Sequence, residues 1–377
     1  MGVERLSIKP RFGYGGIMQW WKMALGLLLA GPVAGEELVL TFTGDLMAHD
    51  KNQEMGDYGD IYRSLAPWLL QDDWSFINLE TPVDGYRAPS GYPLFNARPT
   101  YVEAAIRGGF QVFSLANNHS NDFGVSSVEG TLATMKQLAA PGGVYFSGLK
   151  ETAGEVPRPV VLEKKGWKVG FVALTNLLNL KHGSQRVNLV QIWDIWSKKA
   201  YPEEQEALLD LIRMWRQGLD FLVVSLHDGV EYAEGPSPTQ VEFYQKMVAA
   251  GVDVLWGSHP HVLQPWKWVE TDRGKRVLLY SMGNFVSNQT QGLGPSSWAS
   301  PWAKTGDGAL FQVRLARKPS GVEVQVLRPV LLNNYRDPEK GIVVVPTRTL
   351  IDEGPQVWRD YYRHRWDIQA AWALPGD

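Results

Sequence analysis

From Glu37 onward, short apolar runs rich in β-formers stop abruptly at small clusters of Asp, Asn, Glu or His. Leu38 to Thr43 leads into Gly44 and Asp45, Trp74 to Ile77 into Asn78 and Glu80, and Phe110 to Leu115 into the stretch from Asn117 to Asp122. The same break follows Leu226 (into His227 and Asp228), Trp256 (into Gly257 to His261) and Ser281 (into Gly283 and Asn284). Apolar runs of roughly four to eight residues bounded by turn formers read as buried strands. Six strands are therefore expected to deliver polar side chains at their carboxyl ends.

Helical spacing separates several of these runs. Ala207, Leu208, Leu211, Ile212 and Trp215 fall on one helix face, as do Val241, Tyr244, Met247 and Val248, with a glycine after each segment. That alternation predicts an α/β fold whose carboxyl sheet edge carries the site. Two hairpin patterns, Pro159 to Glu163 with Trp167 to Leu174 and Ala309 to Leu315 with Gly321 to Leu327, add antiparallel strands. The expectation is two sheets packed together with helices outside, long loops over 86–99 and 289–307, and a terminal helix over 356–372.

Composition narrows the chemistry. Cysteine is absent, which excludes disulfides, thiolate metal sites and cysteine nucleophiles. A net charge of -3 without a basic block argues against nucleic acid as a partner. The N-terminus carries an address: Met23 to Ala30 is apolar but too short to span a bilayer, and small residues around Val33 and Gly35 would suit cleavage before Glu36. Residues 1–35 are expected to be a signal peptide or N-terminal anchor, 36–350 one domain, and 351–377 a helical extension. The protein is expected to be exported to the periplasm, the outside or the cell envelope, with membrane contact only through an uncleaved N-terminal segment.

The strand-end clusters hold five of the seven histidines: His49, His119, His227, His259 and His261. Each motif alone also reads as loop or turn chemistry; together they make an oxygen-and-nitrogen donor set. Asp45 and Glu80 supply carboxylates, and Asn118 an amide oxygen. His119 with Asp122 three residues on makes a proton donor and its orienting acid. His259-Pro-His261 can present two rings to one cavity. Glu231, four residues after His227, could orient that ring or touch substrate. Such a set suits one or two divalent ions, Mn, Zn or Fe, and bridging carboxylates favour two. A two-metal centre fits hydrolysis of a phosphate ester.

The ordered motifs "TFTGDLMAHD", "NLETPV", "SLANNHSNDFG", "VVSLHDGVEY", "GSHPHVLQP" and "YSMGNFVSN" resemble those of the bacterial capsule synthesis CapA family, also called the poly-γ-glutamate synthesis family. That family is similar to the calcineurin-like metallophosphoesterases. The resemblance spans Leu38 to Pro329 and implies a metallophosphoesterase-like β-sandwich of two mixed sheets flanked by helices. It further implies Asp45, Glu80 and His261 at a first metal, Asn118, His227 and His259 at a second, and Glu80 as the bridge. His119 would be the general acid, and Asn284 would lie behind the ligands or near substrate. The phosphoesterases carry a histidine two residues after the first aspartate; here that residue is Met47, and His49 is four residues on. Two functions follow. One is an exported hydrolase acting on an anionic polymer or phosphate ester through metal-activated water. The other is a non-catalytic, polymer-binding or export component of a capsule or poly-γ-glutamate synthesis complex.

Overall fold

A computed structural model of the chain describes residues 37–376. The expected signal segment lies outside them. Fifteen strands are present among the described residues. In chain order they are β1 (Leu38–Leu46), β2 (Trp74–Leu79), β3 (Val112–Ser114), β4 (Tyr145–Ser147), β5 (Val160–Lys164), β6 (Trp167–Thr175), β7 (Phe221–His227), β8 (Val254–Ser258), β9 (Leu263–Thr271), β10 (Gly274–Met282), β11 (Asn284–Val286), β12 (Asp307–Lys318), β13 (Gly321–Val326), β14 (Val330–Asp337) and β15 (Gly341–Pro346).

These form two mixed sheets. The first runs β15-β14-β12-β1-β2-β3-β4, with β11 pairing β1 and β13 pairing β12; the second runs β5-β6-β7-β8-β10-β9. Strands β1 to β4 are parallel neighbours, as are β6, β7, β8 and β10, so each sheet points a block of carboxyl ends one way. Both expected hairpins form, as β5–β6 and β12–β13.

Period-two alternation explains the layering. Along β7, Phe221 and Val223 face the inter-sheet core, while Leu222, Val224 and Leu226 face helices Pro202–Trp215 and Pro238–Ala250. Along β2, Phe76 faces the other sheet and Ile77 faces helix Pro99–Arg107. Strands buried on both faces read as unbroken apolar runs, which is the pattern seen in the sequence. The two sheets meet over Phe42, Phe76, Phe171 and Trp256; full burial of such a side chain is worth about 1.5–3 kcal/mol. Trp256 Nε1 also donates to Thr43 O at 2.9 Å, and Ser225 Oγ to Ser114 Oγ at 3.1 Å. These cross-sheet bonds sit just before the site and fix the separation of the two strand edges.

The terminal helix expected over 356–372 is Arg359–Trp372, preceded by a single 3-10 turn at Gln356–Trp358. It docks into the fold: Trp372 belongs to the inter-sheet core, Trp266 Nε1 donates to Trp372 O at 3.0 Å, and buried Arg365 pairs with buried Asp307 at the start of β12. Removing one partner of a buried pair strands the other charge. Arg365→Ala is expected to lower the unfolding free energy in urea by about 3–5 kcal/mol; a loss below about 1 kcal/mol, the range of exposed pairs, would mean that Asp307 is solvated.

Candidate metal centre

The carboxyl ends of β1, β2, β3, β7, β8 and β10 converge, and each delivers a residue singled out in the sequence. Asp45 lies in β1 and Glu80 directly follows β2; both are fully buried. Glycine permits the approach: a Cβ on Gly44 would lie 1.9 Å from Gly283 O, and one on Gly257 would lie 2.1 Å from Tyr280 O. His259 and His261 both have positive φ, 101° and 57°. Non-glycine residues rarely adopt that conformation, and where they do the strain commonly serves a site. Here it turns both rings into one space, with centroids 5.9 Å apart.

Three of the expected ligands surround a nitrogen of a fourth, His227. His227 Nε2 lies 2.9 Å from Asn118 Oδ1, 3.1 Å from His259 Nδ1 and 3.6 Å from Glu80 Oε1. Ligands at about 2.0–2.1 Å around a tetrahedral ion stand about 3.3 Å apart, so this spacing fits a cation. On the other side, His261 Nδ1 lies 3.3 Å from Asp45 Oδ2 and its Nε2 lies 3.6 Å from Glu80 Oε1. Donor atoms of Asp45, Glu80 and His227, and of Glu80, His259 and His261, each fall within 4.8 Å of one another. Glu80 belongs to both groups, the position a bridging carboxylate requires.

The electrostatics sharpen the fit. Neither carboxylate oxygen of Glu80 has a hydrogen-bond partner among the described residues, although both are buried. Burial and the neighbouring Asp45 carboxylate push its pKa well above the ordinary value. Burial, then the adjacent imidazoles, hold His227 and His259 well below theirs, so both are neutral donors at pH 7. Burial alone would also lower His261, but Asp45 beside it reverses the shift and raises its pKa. An orphaned buried carboxylate among neutral imidazoles is a site shaped for a cation.

Around the ligands the structure places supports, some expected from the sequence, as Asn284 and Asp122 were, and others, such as Ser258, Asn78 and Asn179, not. Ser258 Oγ engages His227 Nδ1 at 2.9 Å, which leaves Nε2 toward the cluster. Orienting that ring thus falls to Ser258, and Glu231 instead sits on the exposed cavity wall. Asn78 Nδ2 donates to Asp45 Oδ1 at 2.8 Å, and Asn284 Oδ1 meets His261 Nδ1 at 3.0 Å. Asp228, next to His227, accepts from Tyr244, Asn176, Gln240 and Trp193, a fully satisfied structural acid. Met47 is buried, and His49 Nδ1 accepts from the Asn288 backbone at 3.3 Å. His119 directs Nδ1 at Asp122 Oδ2, 2.8 Å away; that oxygen also accepts from Phe95 N at 2.7 Å. Asn179, in a loop the sequence left unmarked, places its amide nitrogen 3.3 and 3.4 Å from the two ring nitrogens of His119.

The family model described as bacterial capsule synthesis protein PGA_cap matches residues 39–289, which hold every candidate ligand. The chain belongs to that family. Two similar members are the capsule biosynthesis protein CapA of Bacillus anthracis, 29% identical over 74% of this chain and 64% of its own length, and the PGA biosynthesis protein CapA of Bacillus subtilis, 25% identical over 75% and 69%. A probable polyglutamine synthesis accessory protein of Mycobacterium tuberculosis is 26% identical over 59% of this chain and 57% of its own. This chain thus spans less than two thirds of the Bacillus anthracis relative's length. Among solved structures, a calcineurin-like phosphoesterase, YfkN of Bacillus subtilis, aligns with a TM-score of 0.42 at 14% identity, over 89% of this chain and 98% of that one. A hypothetical protein from Thermus thermophilus aligns with the same score and identity over 77% and 99%.

The raised Glu80 pKa gives a signed expectation. Metal-free protein holds a proton on Glu80 above pH 4.5, where an unfolded glutamate is ionised, so a cation must displace that proton. Affinity for Mn²⁺ or Zn²⁺ should rise with pH, and metal-free stability should fall, from pH 4.5 up to the folded Glu80 value. Calorimetric titrations in buffers of different ionisation enthalpy read the released protons; Glu80→Gln should lower that release, and an unchanged release would place the proton elsewhere.

Proposed function

We propose that this protein is an exported, metal-dependent phosphoester hydrolase in cell-envelope polymer metabolism, the capsule or poly-γ-glutamate metabolism for which its relatives are named. The observation that carries the reading is the Glu80 carboxylate, buried without a hydrogen-bond partner among the described residues and shared by two groups of candidate ligands. Asp45, Glu80, Asn118, His227, His259 and His261 would hold one or two divalent ions, which supply Lewis acidity to a phosphoryl oxygen and lower the pKa of water. His119 has its Nδ1 committed to Asp122, so Nε2 is the nitrogen that gives a proton to the leaving oxygen. Asp122 is itself fixed by Phe95 N, and the Phe95 ring meets the His119 ring edge-on at 4.7 Å. The imidazole is thereby held in one orientation before substrate arrives. Export rests on the apolar run from Met23 to Ala30.

Met47 favours a second reading, a polymer-binding member of a synthesis or export complex without turnover. Its buried thioether stands where the phosphoesterases carry a histidine, leaving the Asp45 side with fewer donors. Metal analysis of the purified protein, followed by assay of phosphomonoester and phosphodiester hydrolysis with Mn²⁺ or Zn²⁺, separates the two. Bound metal without turnover supports the second reading. His119→Ala should lower kcat by about 10²–10⁴ with metal content unchanged, whereas His227→Ala should release metal. Parallel loss of metal and activity in His119→Ala would make His119 a ligand.

A further inference from the structure

Two cavities meet at the candidate metal centre. One, of about 680 Å³, extends from His259 beneath the segment between Asn176 and Tyr201. The other, of about 640 Å³, opens on His119 and His261 and extends toward Tyr92 and Trp302. Glu231 lines both, and of the candidate ligands His259 lines the first and His261 the second, so the two cavities are read as arms of one cleft beside the candidate centre. Each arm alone is large enough for a drug-sized molecule. A small monoester would use neither arm fully.

The lining indicates what the arms accept. Trp196 is 80% exposed in the first arm, and Tyr92 and Trp302 are 73% and 47% exposed in the second. Asp194 Oδ1 accepts from the Trp196 backbone N at 3.0 Å, which fixes the chain there, and the Trp302 ring meets Tyr232 edge-on at 5.0 Å. Tyr232 in turn leans on His261 at 6.1 Å, so the aromatic surface continues to the joint. Amides fill the spaces between, Asn179 and Gln191 in one arm, Asn288, Gln289 and Gln291 in the other. Flat rings offer an apolar face at low entropic cost, and amides both donate and accept. That combination matches the C–H face and hydroxyl rim of a sugar ring. Charge points the same way: Asp50, Glu54, Asp194 and Glu231 outnumber Lys51 and Lys181 along the cleft, and Lys51 is paired with Glu54 at 2.5 Å. A polyanion would meet like charge in both arms, whereas a single phosphate at the joint would not.

We infer that the cleft takes a glycan chain with an internal phosphodiester, sugar units lying in both arms and the phosphate at the joint. The cleavage rests on the phosphoesterase reading above; the binding does not. In the step, a water oxygen bonds to phosphorus and the P–O bond to one sugar breaks. The departing oxygen takes a proton from His119; the attacking water gives a proton to solvent, and solvent returns one to His119. The products are a phosphomonoester and a free sugar hydroxyl.

The test uses the full chain with Mn²⁺ and follows tryptophan fluorescence and calorimetry for three probes: a bis(glucopyranosyl) phosphate diester, diethyl phosphate and an oligo-γ-glutamate. The sugar diester should bind about tenfold more tightly than either other probe, and Trp196→Ala and Trp302→Ala should each weaken it by about fivefold. Oligo-γ-glutamate binding as tightly as the sugar diester, or tryptophan variants without effect, would overturn the inference. Hydrolysis of bis(p-nitrophenyl) phosphate by the wild-type protein tests the phosphoesterase reading separately. Hydrolysis without a preference for sugar leaves that reading standing and removes this one; tryptophan-dependent sugar binding without hydrolysis does the reverse.

Discussion

Two buried carboxylates on neighbouring strands, Asp45 and Glu80, impose the constraint on which the site depends. Two carboxylates taken out of water together cannot readily both ionise; Glu80 has no hydrogen-bond partner among the described residues, and burial with Asp45 beside it raises its pKa. The surroundings are arranged around that pair. Asn78 and His261 engage Asp45, imidazoles kept neutral by burial face Glu80, and the His259 and His261 backbones are turned to positive φ to bring their rings there. A fold that needed only stability would have filled these positions with apolar side chains. The arrangement becomes favourable once a cation joins it.

The layered architecture makes the convergence possible. Parallel strands from both sheets end at one edge, and the aromatic core behind them, Phe42, Phe76, Phe171 and Trp256, holds the sheets at fixed separation. Small displacements of that core would move ligands on opposite sheets relative to each other, Glu80 against His227 above all. The cross-sheet bonds of Trp256 and Ser225 lie where such a displacement would be felt first.

The convergence of the candidate ligands was legible in the sequence because each is announced locally, by an apolar run that stops at a polar cluster. The alternation of strand and helix, the two hairpins and the terminal helix were legible for the same reason. Strands β4, β9, β11, β14 and β15 were not: β4 and β11 are three residues long, and β9 carries polar and charged residues around its tryptophans. The supports of the site depend on distant chain segments. Ser258 acts on a histidine 31 residues earlier, and Asn179 on one 60 residues earlier. Of the two roles the sequence left open for Glu231, orienting His227 is taken by Ser258, while its place on the cavity wall keeps the role toward substrate. The aromatic lining of the cavities was hidden likewise, because Trp196 and Trp302 lie far apart in sequence and reach adjoining cavities only in the folded chain.

The central claim is that Glu80 is a metal ligand shared between two groups of donors. Crystals grown with Mn²⁺ and measured at its absorption edge test it most directly. Anomalous density is expected within about 2.0–2.3 Å of the Glu80 carboxylate and the His227 or His261 imidazole. A map without such density, in which Glu80 is hydrogen-bonded to water or to another side chain, would contradict it.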